Sequence, residues 1–405
     1  MMDRFFASNK KSAFLLMCGL IIFLISYFFV TTPKIHNTIF YALTLLPLLC
    51  AVEKKHLIYL HRSWLINGLV LFLLYSFSTT FWSDFYSKEL LFRTFKRVLY
   101  IYGLFLACYV VIDAFPSFPA RLLQAGSLSL SIFACICIFL FLMETHPHFI
   151  HDPIRMWGLG ALYHPSFFSG ILLCYVVGLF VHLKEHNFVS LAPIVKSIYL
   201  VGLFFMMSLV LSVLVLADSR SAAVCLVVIA AFYGIFERSL IWTIAAVLCI
   251  IFSFTIILYI DPNIFLSRST YRLEIWSVFI NKWQECSYLF GCGMSGWKTT
   301  IIQAAGEVHM HAHSIYIGQL HTGGIIQLIG YLLLLASFIY EGISTPESKS
   351  WALILVGGAV MTMFDGSKIL TTPSPLWLVL LIPMSIIASN RIVNANKLLN
   401  KKRYF

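Results

Sequence analysis

Apolar runs long enough to cross a lipid bilayer recur along almost the whole chain. The 405 residues are 60% hydrophobic and only 11% charged, whereas ordinary soluble domains are roughly 25% charged. A helix needs about 20 apolar residues to cross a hydrocarbon core of ~30 Å, and the run from Ala13 to Val30 is close to that length. The sequence therefore predicts an all-α polytopic membrane protein and excludes a soluble domain.

The number of transmembrane helices follows from where charged and proline-containing segments interrupt the apolar runs, and about twelve are predicted. The predicted spans lie near residues 13–31, 38–52, 64–82, 98–115, 122–143, 166–183, 197–217, 221–236, 239–260, 314–340, 351–364 and 374–390. The first run follows Arg4, Lys10 and Lys11 and is too long for a typical cleaved signal, so we interpret it as a retained signal-anchor. Both termini are then expected on the cytoplasmic side.

These spans divide the chain into four parts. Residues 1–260 hold transmembrane helices 1 to 9, residues 261–312 form one large polar loop on the outer side, residues 313–390 hold transmembrane helices 10 to 12, and residues 391–405 form a basic cytoplasmic tail. The large loop is the place where a small extramembrane cap is expected.

The large loop contains an amphipathic pattern and two cysteines. Tyr271 to Trp283 predicts a helix with one apolar face, formed by Leu273, Trp276, Phe279 and Ile280. Cys286 and Cys292 lie outside the apolar runs that hold the other cysteines. The sequence leaves open whether these two form a disulfide.

The formal net charge of +11 would favour a nucleic-acid partner in a soluble protein. Here the cations lie in short loops between spans, so the predicted surroundings are membrane lipids and no nucleic acid. An unusual number of cations falls on the outer side, including Lys88, Arg93, Lys96 and Arg97 at roughly helical spacing. We expect Lys88, Arg93 and Arg97 to bind an anionic substrate, and the alternative is an amphipathic helix that binds lipid headgroups.

Arg220 lies in the turn Ala217-Asp218-Ser219-Arg220 between two strongly apolar runs. An arginine this close to the hydrocarbon core is costly unless it is paired or serves a ligand. Its guanidinium can bind phosphate oxygens through two parallel hydrogen bonds. The sequence therefore predicts an anion-binding role for Arg220, with pairing to Asp218 or snorkelling to headgroups as the alternatives.

Histidines stand at every second position where the large loop ends, in His309-Met310-His311-Ala312-His313-Ser314. Nothing resembling an HExxH arrangement accompanies them, so no metal and no cofactor are predicted. His313 begins a helix, where the positive end of the helix dipole disfavours the imidazolium form. A neutral imidazole there is a candidate general base for a hydroxyl group, and His311 is a candidate substrate contact.

Three further charged positions complete the predicted site. Arg268 and Arg272 flank Ser269-Thr270-Tyr271 in the large loop, and a solvated helical face is the alternative to a binding role. Asp365 lies between the last two predicted spans. It is expected to orient an arginine or the histidine, and an Asx turn is the alternative.

Two sequence motifs near these residues are familiar. His313-Ser314, followed after nine residues by Gly324, resembles the motif of the O-antigen ligase and polymerase superfamily, in which His-Asn/Ser is followed by nine residues and G-x-x-G. Gln327 replaces the second glycine here. Ser219-Arg220-Ser221-Ala222 resembles the arginine-containing turn of the same superfamily.

A third motif lies in the large loop. Arg272-x-x-x-Trp276 with Phe290-Gly291-Cys292-Gly293 resembles the superfamily's R-x-x-x-W and F-G-x-G signature ahead of the histidine. The motifs cover roughly residues 210–335, and the remainder resembles the superfamily by its topology alone.

The resemblance implies a glycosyltransferase C-like fold and a metal-independent glycosyltransferase of the bacterial inner membrane, with its active site facing the periplasm. It implies O-antigen ligase activity, in which a polysaccharide on undecaprenyl diphosphate is transferred to the lipid A-core acceptor. In that scheme Arg220 and Arg272 hold the diphosphate leaving group and His313 activates the acceptor hydroxyl. The implied substrate contacts are Arg268, Lys88, Arg93, Arg97, Asp365 and His311.

Other functions remain open at this stage. An O-antigen polymerase or a related oligosaccharyltransferase needs the same diphosphate and hydroxyl sites. A lipid-linked glycan flippase or other secondary transporter would also have many spans, but it predicts ionisable residues near the bilayer midplane and internal pseudo-symmetry. The ionisable residues of this chain cluster at the outer ends of the spans, which favours chemistry at the membrane surface.

Overall fold

The computed structural model describes most of the chain. The described residues are 2–30, 32–144, 155–185, 193–238, 244, 262–294, 302–304, 307–309, 311–366 and 368–403. Within them, the backbone alone is described for residues 2–9, 33, 193, 262–271, 302–304, 307–309 and 399–403. The predicted ninth span, 239–260, lies almost entirely outside this part of the chain.

Helices make up the amino-terminal half. They are α1 (Met2–Phe29), α2 (Pro33–Phe40), α3 (Leu46–Ala51), α4 (Lys54–Leu60), α5 (Trp64–Ser78), α6 (Lys88–Ala114) and α7 (Phe118–Leu142). A π-helical turn, Tyr41–Leu45, joins α2 to α3, so that the two form one apolar segment. Proline at the first position of α2 suits a helix start, because its missing N–H would have no partner there.

Helices also dominate the carboxyl-terminal half. They are α8 (Pro165–Glu185), α9 (Pro193–Leu216), α10 (Arg220–Phe236), α11 (Pro262–Cys286), α12 (Ile315–Ser344), α13 (Lys349–Phe364) and α14 (Ile382–Arg403), with a π-helical turn, Trp377–Leu381, leading into α14. Between α11 and α12, β1 (Ile302–Ala304) and β2 (Glu307–His309) pair in antiparallel register.

Eight of the described helical segments are long and apolar enough to cross a membrane, and the bent pair α4 and α5, which meet at 85°, raises the number to nine at most. These segments confirm a polytopic all-α membrane protein. α10 is apolar but has 17 residues, and α13 has 16. The count of twelve spans and the outer position of the large loop stay predictions.

The helices that matter for the site form one packed group. α13 packs against α8, α10 and α12, while α11 and α5 pack on α12. At one end of this group Lys349 of α13 forms ion pairs with Glu185 at 3.2 Å and Glu237 at 3.3 Å, which are at the carboxyl ends of α8 and α10. The other ends of these helices, which are the starts of α8 and α10 and the end of α13, belong to the candidate site described below.

Two details differ from the sequence-based expectation. The helix of the large loop extends over Pro262–Cys286, and its buried face contains Ile275 and Phe279, whereas Leu273 is 59% exposed. Ile275, Trp276 and Phe279 form this face, because they pack against the start of α12 and the residue Ala312 before it. The prediction that Leu273 belongs to the buried face is wrong, because Leu273 lies on the side away from this contact. In addition, α14 continues to Arg403, so the basic tail begins on the last helix.

Candidate functional site

Four helix ends meet where the candidate site lies. α8, α10 and α12 begin there with His164, Arg220 and His313 at or just before their first turns, and α13 ends there with Asp365 directly after it. The amino-terminal ends of three helices, which carry partial positive charge, therefore lie in the region of one carboxylate. Amino-terminal helix ends favour anions, so the region around Asp365 has an electrostatic preference for negative charge.

Asp365 is the centre of the group. Its carboxylate is buried, with Oδ1 3.5 Å from Nδ1 of His313 and 2.7 Å from the N–H of Gly366, which donates a hydrogen bond to it. Burial raises the pKa of this carboxyl group, but the contacts with His313, His164 and Gly366 outweigh that effect and hold its pKa below the usual range. Asp365 is therefore held in its anionic form, and its predicted role in orienting the histidine stays a prediction.

The backbone presents His313 in an uncommon conformation. Its φ of +47° lies in the left-handed region, which costs a non-glycine residue about 1 to 3 kcal/mol and persists only where the surroundings impose it. Here Trp276 of α11 donates a hydrogen bond from Nε1 to the carbonyl of the preceding Ala312 at 2.9 Å. The His311 ring packs against that of His313, with ring centroids 4.0 Å apart.

His164 contacts Asp365 from the other side. Its Nδ1 lies 3.1 Å from Oδ2 of Asp365. Burial lowers the pKa of His164, and the charges of Arg155, His313 and Arg272 lower it further, while Asp365 raises it. The ring is consequently kept in its neutral form more strongly than a solvated histidine would be.

The arginines lie around this carboxylate. Burial lowers the pKa of Arg272, the nearby Arg220 lowers it further and Asp365 raises it, so the three charged groups are close enough to interact. The Arg272 guanidinium also lies over the ring of Phe364, 5.8 Å from its centroid. Two guanidinium groups that interact with each other and with one carboxylate leave a net positive region that favours an anion.

Residues beyond the predicted set hold the Arg220 turn. Arg155 donates a hydrogen bond from Nε to the carbonyl of Ala217 at 2.9 Å, and Met156 donates one to Leu216 at 2.8 Å. Asp218 in the same turn has φ of +44°. His164 and Arg155 are not among the site residues predicted from the sequence. The sequence signal for His164 is its position directly before Pro165, because proline often begins a helix.

The glycine motifs of the large loop and of α12 contact each other. Gly324 has φ of +69° and kinks α12, and a Cβ on it would lie 2.1 Å from the carbonyl oxygen of Leu289. Cys292 and Gly293 donate backbone hydrogen bonds to His321 at 2.8 Å and to Thr322 at 2.9 Å. The F-G-x-G turn is thus locked onto the helix that carries His313.

Gln327, which replaces the second glycine, is buried beside this kink. Its amide donates a hydrogen bond to Ser76 of α5 at 3.2 Å and another to Gln319. The side chain fills the space between α12 and α5, so the contact between these helices is made by a polar pair instead of by a glycine.

Cys286 and Cys292 form a disulfide that joins the end of α11 to the F-G-x-G turn. Replacing both by serine should lower the free energy of unfolding of this region by about 2 kcal/mol, the loop-closure entropy of so short a loop. The measurement compares the melting temperature of the purified double variant with that of the wild type, and adds the wild type in reductant. Equal melting temperatures for the double variant and the wild type would contradict the prediction.

The other predicted cations lie on different elements. Lys88 and Arg93 are exposed on the first turns of α6, where Arg93 forms an ion pair with Glu89 at 3.0 Å. Lys96 lies over the rings of Tyr41 and Tyr100 at 5.3 and 5.4 Å. Arg97 is half-buried on the same helix, and for Arg268 the backbone alone is described. The binding roles predicted for these residues stay predictions.

A metal ion would find potential ligands in the same group. One nitrogen each of His311 and His313 and one oxygen of Asp365 lie within 4.8 Å of one another. Imidazole nitrogen and carboxylate oxygen are ligands that zinc accepts. The prediction that the chemistry needs no metal therefore requires an experiment.

Comparison with known proteins agrees with the motifs. No protein-family model matches the chain. The protein named O-antigen ligase from Pseudomonas aeruginosa is 27% identical over 398 residues, which cover 94% of this chain and 91% of that protein. The similarity extends over nearly the full length of both chains and confirms the resemblance to the O-antigen ligase superfamily.

Proposed function

We propose that this member of the O-antigen ligase superfamily transfers O-antigen polysaccharide from undecaprenyl diphosphate to the lipid A-core oligosaccharide, at the periplasmic face of the bacterial inner membrane. The observation that carries the proposal is the His313–Asp365 pair, at 3.5 Å, beside Arg272 and Arg220. A base and an anion-binding site at one membrane surface are what transfer from a lipid diphosphate to a hydroxyl requires.

The proposed step replaces one carbon–oxygen bond by another and transfers one proton. The acceptor hydroxyl oxygen attacks the anomeric carbon of the donor sugar, and the bond between that carbon and the diphosphate oxygen breaks. The diphosphate leaves with the electron pair, and the hydroxyl proton passes to His313. Asp365 contacts Nδ1 of that ring, which favours the tautomer that carries its proton on Nδ1 and makes the unprotonated Nε2 the proton acceptor.

Arg220 and Arg272 are proposed to stabilise the leaving group. Negative charge grows on the diphosphate as the sugar bond breaks, and two fixed guanidinium groups can neutralise it without reorganisation. Arg220 is the first residue of α10, so the amino-terminal N–H groups of that helix add to the same field. A hydrogen bond from Arg155 to the preceding turn helps to keep this helix start in place.

The remaining predicted contacts are proposed to bind substrate outside the reacting centre. His311, whose ring packs on that of His313, is proposed to contact the acceptor sugar. The cationic group of Lys88, Arg93 and Arg97, together with Arg268, is proposed to attract the anionic donor or its lipid surroundings.

The function is tested by comparing lipopolysaccharide and lipid-linked glycan from the source bacterium with and without the gene. Loss of the long ladder on a gel, with polymeric O-antigen accumulating on undecaprenyl diphosphate, supports the ligase. Core that carries a single repeat indicates a polymerase, and an unchanged pattern refutes both functions.

Transfer by the purified protein should not depend on a divalent metal, because the arginines supply the positive charge. We expect that EDTA leaves the rate unchanged in a detergent or nanodisc assay with lipid-linked donor and lipid A-core. If EDTA abolishes transfer and Zn²⁺ restores it, then His311, His313 and Asp365 act as metal ligands and the proposed base role of His313 is wrong.

A further inference from the structure

The imidazole ring of His164 packs against three aromatic rings. Trp157, Tyr163 and Phe167 each present an edge or a face to its imidazole, with centroids 6.1 to 6.3 Å away. The residue directly precedes α8, and α8 packs against α13, the helix that ends at Asp365. Its ring therefore has little freedom to leave the carboxylate that it contacts.

The contact between His164 and Asp365 joins two buried atoms. Nδ1 of His164 and Oδ2 of Asp365 lie 3.1 Å apart, and neither atom has a hydrogen bond in the described part of the chain. Because buried polar atoms without hydrogen bonds are costly, the two atoms depend on this close polar contact with each other. Asp365 thus lies between two imidazoles, with His313 near Oδ1 and His164 near Oδ2.

We propose that His164 is a positioning residue that keeps Asp365 directed at His313 and away from Arg272. A carboxylate beside a guanidinium tends to form a paired, bidentate contact. Such a contact would take Arg272 away from the diphosphate and Asp365 away from His313. By occupying Oδ2, His164 leaves only Oδ1 for the base and leaves the guanidinium available to substrate.

Other charged groups are consistent with this arrangement. Arg155, Arg272 and His313 all oppose protonation of His164, whereas Asp365 favours it. A neutral His164 can donate only one N–H, and the carboxylate next to Nδ1 selects the tautomer that carries the proton there. The proposal rests on the proposed transferase function for its catalytic consequence, but the Asp365–His164 contact itself is independent of it.

Two substitutions separate positioning from packing. Asparagine places its amide nitrogen near the position of Nδ1, whereas glutamine places its amide nitrogen near Nε2. We expect that His164→Asn retains most of the wild-type kcat, whereas His164→Gln lowers kcat by up to about 100-fold, the size of effect that a small misplacement of catalytic groups can have. KM for the lipid-linked donor should rise in His164→Gln, because Asp365 then pairs with Arg272, and should stay near the wild-type value in His164→Asn.

The protonation pattern of His313 provides a readout that does not need activity. In protein with ¹⁵N-labelled histidine, the wild type and His164→Asn should show His313 protonated on Nδ1, and His164→Gln should show a mixture of tautomers. Equal kcat and equal spectra for the asparagine and glutamine variants would overturn the proposal. If the wild type itself transfers no glycan, the proposed function fails, and the spectra alone then decide whether His164 positions Asp365.

Discussion

Replacing His313 by alanine is expected to abolish glycan transfer while the protein remains folded in the membrane. A general base contributes about 100- to 10,000-fold to the rate of such a step, and His313 is the base in the proposed scheme. The side chain is partly exposed, so its removal leaves no large cavity in the core. The measurement is the transfer rate of purified protein with equal amounts of folded enzyme.

His182 offers a matched control for this substitution. It lies in the last turn of α8, at the opposite end of the packed group from His164. His182→Ala should therefore transfer glycan at the wild-type rate. Wild-type activity in the His313→Ala variant would show that this histidine is not the base, even if the protein proves to be a ligase.

Replacing Arg220 by lysine should lower the transfer rate by about 100-fold or more, the cost of losing one fixed donor to a developing negative charge. Lysine keeps the positive charge but presents a point charge in place of a planar fork, so it cannot bind two phosphate oxygens at once. Because Arg220 and Arg272 act near each other, the loss should appear mainly in the chemical step. The rate is measured at saturating donor.

Arg238, which follows the other end of α10 and is exposed, provides the control for Arg220→Lys. The substitution Arg238→Lys should leave transfer unchanged, because its charge is far from the site along the helix. A fully active Arg220→Lys variant would contradict diphosphate binding by this residue and would favour a simpler contact with lipid headgroups.

The membrane character of the protein follows from local sequence alone. A run of more than about 17 apolar residues rarely forms anything other than a helix that crosses or lies within a bilayer. Eight described segments meet this expectation. The count of spans does not follow from the sequence alone, because α10 and α13 are short. Whether such short helices cross a membrane depends on the neighbours that cover them.

Part of the candidate site could also be predicted from the sequence. Arg220, His313 and Asp365 are costly or reactive groups at the ends of apolar runs, Arg272 lies in the large polar loop, and the structure brings the four close enough to interact. The helix of the large loop was predicted, but its buried face was misjudged at Leu273. An apolar residue marks a buried face only where a partner helix is present, and the sequence does not say where α12 lies.

What the sequence by itself determined are properties set by near neighbours: the helices, the turns that start and end them, and the residue types that those turns expose. Only the tertiary structure decided that Asp365 is shared between His313 and His164, and that the F-G-x-G turn packs on the kink at Gly324. These contacts join residues that are far apart along the chain. They depend on how α8, α12 and α13 pack, and that packing is a sum of many weak contacts with no local signature.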